Sequence, residues 1–110
     1  MANGYDHNFV LETSTRRSLM LAAQLDDPAS GRRLEISTTE PGLQVYTGNQ
    51  LDGSFVGTGG RPYASRGGVA LETQHFPDSV HHDRFPTTVL RPGATFRSTA
   101  IYRFSRATLR

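Results

Sequence analysis

One carboxylate stands in the middle of an apolar, strand-like run. It is Glu72, in Val69-Ala70-Leu71-Glu72-Thr73-Gln74-His75-Phe76-Pro77-Asp78, just ahead of a Pro-containing loop. In alternating geometry Ala70, Glu72 and Gln74 share one face, and Val69, Leu71 and Thr73 point the other way. A glutamate on a half-buried strand costs free energy unless something pairs with it or uses it. Two readings are open: a salt-bridged or rim glutamate, or a general base whose pKa partial burial raises. A second polar residue among apolar ones, Gln44, lies in Pro41-Gly42-Leu43-Gln44-Val45-Tyr46-Thr47-Gly48-Asn49. A third, Asp6, sits in the polar cluster Gly4-Tyr5-Asp6-His7-Asn8-Phe9, where the plainer reading is a turn-forming aspartate. An amide, a carboxylate and the aromatic surfaces of Tyr46 and Phe76 together suit a hydroxyl-rich ligand such as a sugar ring.

Other chemistries find less support. His7, His75, His81 and His82, with Asp78 and Asp83 nearby, match no compact zinc spacing, and there is no cysteine to assist. They read as structural or solvent-exposed histidines. The pairs Gly59-Gly60 and Gly67-Gly68 do not stand between a strand and a helix, so neither makes a phosphate loop. No Gly-x-Ser-x-Gly elbow exists for serine hydrolysis.

The elements that must position these residues read as all-β. Strands are expected at residues 7–12, 18–25, 32–38, 43–46, 69–74 and 95–104. The turn Asp26-Asp27-Pro28-Ala29-Ser30-Gly31 makes a hairpin of the second and third, with Leu34 and Ile36 inward. A glycine-rich loop fills residues 48–68, and a loop rich in Pro, His and Asp fills 76–86. In the last strand Phe96, Ala100, Tyr102 and Phe104 share a face. No helix-period segment of useful length appears. Short strands with turn residues between them argue for a sandwich or barrel piece. The strand entered almost directly after Met1-Ala2-Asn3-Gly4 suits a self-contained sandwich or a portion of a larger one.

Composition sets the bounds. The 110 residues allow one domain, and 35% hydrophobic with 20% charged residues is lean but globular. The 11 Gly and 6 Pro fit many turns, and the absence of cysteine excludes disulfides and thiolate metal sites. All 12 basic residues are arginine, a composition bias before it is a chemistry. A formal charge of +2, with only Arg103, Arg106 and Arg110 locally basic, makes no nucleic-acid surface. No signal peptide or membrane-length apolar run is present, so a soluble, cytoplasmic protein is expected, with no membrane partner.

Three motifs then occur in a telling order: Gly4-Tyr5-Asp6-His7-Asn8-Phe9, Thr38-Thr39-Glu40-Pro41-Gly42-Leu43-Gln44-Val45-Tyr46-Thr47-Gly48-Asn49, and Leu71-Glu72-Thr73-Gln74-His75-Phe76-Pro77-Asp78. Together they closely resemble the C-terminal part of aldose 1-epimerases, also called galactose mutarotases. The resemblance covers nearly all 110 residues, including the hairpin turn and Arg91-Pro92-Gly93. It implies an antiparallel β-sandwich of the galactose mutarotase type, present here as its C-terminal part, a single partial domain over residues 1–110. It implies interconversion of the α and β anomers of free aldoses such as galactose or glucose, without metal or organic cofactor.

By the same resemblance Glu72 is the catalytic base at the anomeric hydroxyl. Asp6 hydrogen-bonds sugar hydroxyls, and Gln44 lies at the substrate pocket. The family's acid is a histidine from the earlier part of the chain, and the resemblance carries that role to none of the histidines here. The expectation is therefore a segment with the base and not the acid. A catalytically incomplete carbohydrate-binding fragment or subunit, completed by a complementary N-terminal chain or by self-association, stands as the alternative, and a gene fragment without function of its own as a third. Exposed strand edges and half a core are expected to favour association.

Overall fold

The computed structural model describes residues 3–12 and 18–106. Six strands form: β1 (Asp6–Val10), β2 (Met20–Asp27), β3 (Arg32–Thr38), β4 (Gly42–Tyr46), β5 (Ala70–Gln74) and β6 (Ala100–Arg106). A single 3₁₀ turn, Ser79–His81, is the only helical element among the described residues. The strands make two three-stranded antiparallel sheets, ordered β1-β4-β5 and β2-β3-β6. This is the all-β, two-sheet arrangement of a β-sandwich portion.

The β2–β3 hairpin forms because its turn is chemically specified. The Asp27 carboxylate accepts from the Ala29 N–H at 3.1 Å and from the Ser30 hydroxyl, and the Gly31 N–H donates to the Asp27 carbonyl at 2.8 Å. The bonds from the Ser30 hydroxyl first, then the Ala29 N–H, hold the Asp27 carboxyl below its ordinary value. Sequence alone assigned Asp26 and Asp27 to the turn, but both belong to β2, opposite Arg33 and Arg32. Charge pairing extends the ladder: Arg33 Nε donates to Asp26 Oδ1 at 2.6 Å.

Period-two alternation builds the core. Leu34, Ile36 and Thr38 share one face of β3, flanked in register by Leu25, Ala23 and Met20 on β2 and by Phe104, Tyr102 and Ala100 on β6. Ile36 and Thr38 are fully buried, and Leu43 on β4 nearly so. Burying a side chain such as Ile36 stabilises by about 1.5–3 kcal/mol. The two sheets are joined by residues 39–41 and by the Tyr102 hydroxyl, which donates to the Leu71 carbonyl at 3.3 Å.

The last strand begins later than expected, at Ala100 rather than residue 95. Pro92 brings no N–H, Gly93 takes φ 81°, and the Ala94 N–H closes a turn on the Arg91 carbonyl at 3.0 Å. Phe96 therefore leaves the sheet face and its ring centroid lies 6.2 Å from that of His75. Phe104 does occupy the apolar row, yet it is 77% exposed, because nothing among the described residues covers that end. The basic tail divides: Arg103 and Arg106 are exposed on β6, and Arg110 lies outside the described residues.

Candidate active site

Antiparallel register brings the three chemically suggestive residues onto one face. Gln44, on the central strand β4, stands opposite Glu72 on β5 and Asn8 on β1, while Tyr46 stands opposite Asp6 and Ala70. The even-numbered residues of all three strands therefore share a polar surface. Asp6, Gln44, Tyr46, Gln50, Glu72, Gln74 and Pro77 line one open depression there, about 500 Å³ in volume. Asp6, Gln44 and Glu72 are thus brought together, and the turn reading of Asp6 gives way to a strand position.

Gln44 is the hinge of this surface. Its Nε2 donates to Asp6 Oδ1 at 2.7 Å, which fixes the amide and leaves Oε1 turned elsewhere. That Oε1 is buried and has no hydrogen-bond partner among the described residues. An unsatisfied buried acceptor costs about 1–3 kcal/mol, so a group that donates to it gains that much more than in water. Asn8 Nδ2, in the same cross-strand row, is likewise buried and unpartnered among the described residues. Asn8 fits there because position 42 is glycine: a Cβ would stand 2.8 Å from Asn8 Oδ1 and 3.0 Å from the Phe76 ring.

Glu72 is exposed rather than half-buried. It sits on an edge strand at an open depression, so the expected burial of this carboxylate is corrected. Tyr46 presents its ring to the depression, but Phe76 does not: it packs edge-on against Phe85, centroids 5.2 Å apart. Three lining residues escaped sequence reasoning as site groups. Gln74 was placed on the Glu72 face but given no role, though the alternation was signal enough. Gln50 and Pro77 come from loops. The chain leaves β4 through Gly48 at φ 65°, and the Gln50 N–H donates to the Tyr46 hydroxyl at 3.1 Å, holding that loop on the rim.

The histidines go elsewhere. His75 Nδ1 lies 2.6 Å from Glu40 Oε2, and His81 and His82 both pair with the Asp78 carboxylate. His7 accepts from the Asp6 N–H at 3.0 Å. No three His, Asp or Glu side chains converge to hold a metal among the described residues. What the depression offers is an exposed carboxylate, a second carboxylate oriented by an amide, and an aromatic wall.

The chain matches the family model described as Aldose 1-epimerase over residues 1–103. It is 47% identical over 105 residues to the galactose mutarotase of Homo sapiens, which covers 96% of this chain and 30% of that protein. It is 46% identical over 105 residues to the galactose mutarotase of Mus musculus, with the same coverage. To the aldose 1-epimerase of Escherichia coli (strain K12) it is 38% identical over 103 residues, 92% of this chain and 29% of that protein. The chain spans about 30% of the length of the curated relatives it matches, and corresponds to their C-terminal part.

Proposed function

The chain belongs to the aldose 1-epimerase family, and we propose that it supplies the base-bearing, sugar-reading surface of an aldose 1-epimerase acting on free aldoses such as galactose or glucose. The observation that carries this reading is the convergence of Glu72, Asp6 and the Gln44 side chain on one depression, with the Gln44 amide bonded to Asp6. A sugar ring carries several hydroxyls that donate, so one ring can serve both carboxylates together.

In this mechanism Glu72 takes the proton from the anomeric hydroxyl. The C1–ring-oxygen bond breaks as the carbonyl forms, and an acid protonates the departing ring oxygen. Rotation about C1–C2 presents the other carbonyl face, and reclosure returns both protons. Glu72 suits a step that must run in both directions, because its open position lets it take and give back a proton. Asp6, steadied by Gln44, accepts from a second hydroxyl, and Tyr46 supplies an apolar wall for the ring. The acid is assigned to no residue of this chain, since His75, His81 and His82 are paired with carboxylates away from the depression.

A second reading has its own support. The depression is open and Glu72 exposed, while among the described residues both sheets end in unpaired edges and Phe104 stands clear of the core. These features favour a partial domain that binds sugar and is completed by a complementary chain or by a second copy. Polarimetry of freshly dissolved α-galactose, with the chain and its Glu72→Gln variant, separates the two. Acceleration that disappears in the variant supports the epimerase reading. Sugar binding without acceleration supports the incomplete site, and acceleration that survives the substitution overturns the role of Glu72.

A further inference from the structure

Behind the depression a buried carboxylate is held in a place where it does no chemistry on a ligand. Glu40, only 5% exposed, lies in the crossing from β3 to β4. Its N–H donates to Thr38 Oγ1 at 3.0 Å, and that hydroxyl donates to the Thr99 carbonyl at 3.2 Å. Thr39 and Thr99 close a further ring: the Thr39 N–H reaches the Thr99 carbonyl at 3.0 Å, and the Thr99 N–H reaches Thr39 Oγ1 at 3.0 Å. Glu40 thus stands on a frame fixed by Thr38 at the end of β3 and by Thr99 just ahead of β6. Its Oε2 meets His75 Nδ1 at 2.6 Å.

His75 is the first residue past β5. Gln74 before it and Pro77 two residues after it both line the depression, and the candidate base Glu72 is three residues upstream. Leu71 and Thr73 occupy the opposite face of β5 from Glu72, and the His75 ring, itself 18% exposed, reaches Glu40 without lining the depression. The bond grips the backbone from behind, where the chain leaves the sheet and turns toward the rim. A buried carboxylate strongly favours keeping a hydrogen-bond partner, so the grip is firm.

We propose that the Glu40–His75 pair is a positioning device for the sugar site. It sets where Gln74 and Pro77 stand relative to Glu72, and with them the width open to a bound aldose ring. The proposal rests on the aldose reading above. His75 is a positioning residue and touches neither the sugar nor the reacting atoms.

The test uses the 110-residue chain with His75→Leu, His75→Asn and Glu40→Gln, read by the backbone amide resonances of Glu72, Gln74 and Asp78 and by galactose affinity. His75→Leu offers Glu40 nothing. It is expected to move the three amides and weaken galactose binding about tenfold, inside the 10²-fold loss that a 1 Å misplacement of site groups can cause. Asparagine puts an amide nitrogen where histidine puts Nδ1, so His75→Asn is expected to restore both amide positions and affinity. Glu40→Gln, which keeps an acceptor, should behave like His75→Asn. Unmoved amides and unchanged affinity in His75→Leu overturn the proposal, as does a folded His75→Asn that restores neither. Should His75→Leu fail to fold, the other two variants decide: both must keep the rim amides in place. If the unsubstituted chain takes up no galactose, the aldose reading fails by itself, and the loss and return of the rim amide positions still decides the positioning role.

Discussion

The two sheets are built alike and used differently. Each has three antiparallel strands, and each carries aligned rows of side chains across its central strand. In β2-β3-β6 the rows are Leu25-Leu34-Phe104 and Ala23-Ile36-Tyr102, and the charges at its end are matched, Asp26 with Arg33. In β1-β4-β5 the row Phe9-Leu43-Thr73, with the buried Leu43, faces the other way, and the rows on the face of the depression are Asn8-Gln44-Glu72 and Asp6-Tyr46-Ala70, where two buried amide atoms have no partner among the described residues. A satisfied charge pair needs only the fold to explain it. Two carboxylates gathered on one open depression, one of them oriented by an amide, are not explained by the fold alone.

Substitutions that strike one sheet at a time break or sharpen the contrast. The largest effect is expected from Glu72→Gln. Mutarotation of α-galactose followed by polarimetry should slow by the roughly 10²–10⁴-fold that a general acid or base supplies, with the urea midpoint unchanged. Ile36→Ala in the other sheet should do the reverse: about 2–5 kcal/mol of stability lost in urea denaturation, with galactose affinity of the folded fraction retained. Gln44→Leu joins the two tests. It removes the buried unsatisfied acceptor and the exposed bond to Asp6 together, so the urea midpoint should change little, while galactose binding by titration calorimetry should weaken about tenfold as Asp6 loses the amide that orients it. A fall in stability with unchanged affinity would place Gln44 among the structural groups.

The smallest effect belongs to Asp26→Asn. Bonds from Arg33 first, then Gln24, hold the Asp26 carboxyl below its ordinary value. A lowered folded pKa gives stability that is present above the unfolded value and lost as pH falls through the folded one. The difference between the chain and Asp26→Asn in urea midpoint should therefore be small at neutral pH and vanish in acid, because an exposed pair contributes little. A difference that grows toward acid would reverse the assignment.

Local pattern made much of this legible. Alternation located five strands to within about two residues, and put Glu72 with Gln74 and Leu34 with Ile36 on shared faces. Asp27, Pro28 and Gly31 specified the hairpin, although counting Asp26 and Asp27 as turn residues missed their pairing with the arginines across the ladder. The final strand starts late because the even-numbered alternation Phe96, Ala100, Tyr102, Phe104 suggests pairing directly after the Arg91-Pro92-Gly93 turn, whereas ladder pairing with β3 begins only at Ala100. The three motifs were enough to identify the family.

By itself the sequence determined the strands, their faces and the family, because these depend on neighbours within a few residues. Only the tertiary structure decided that Asp6 bonds Gln44, 38 positions away, that Gln44 and Glu72 share a row, and that Gln50 and Pro77 close the rim. It also decided that Glu72 stands exposed and that Glu40 grips His75 across the sheets. Register between distant strands is set by which side chains pack and pair when the sheets form, and a period-two pattern states the face of a residue without stating its partner.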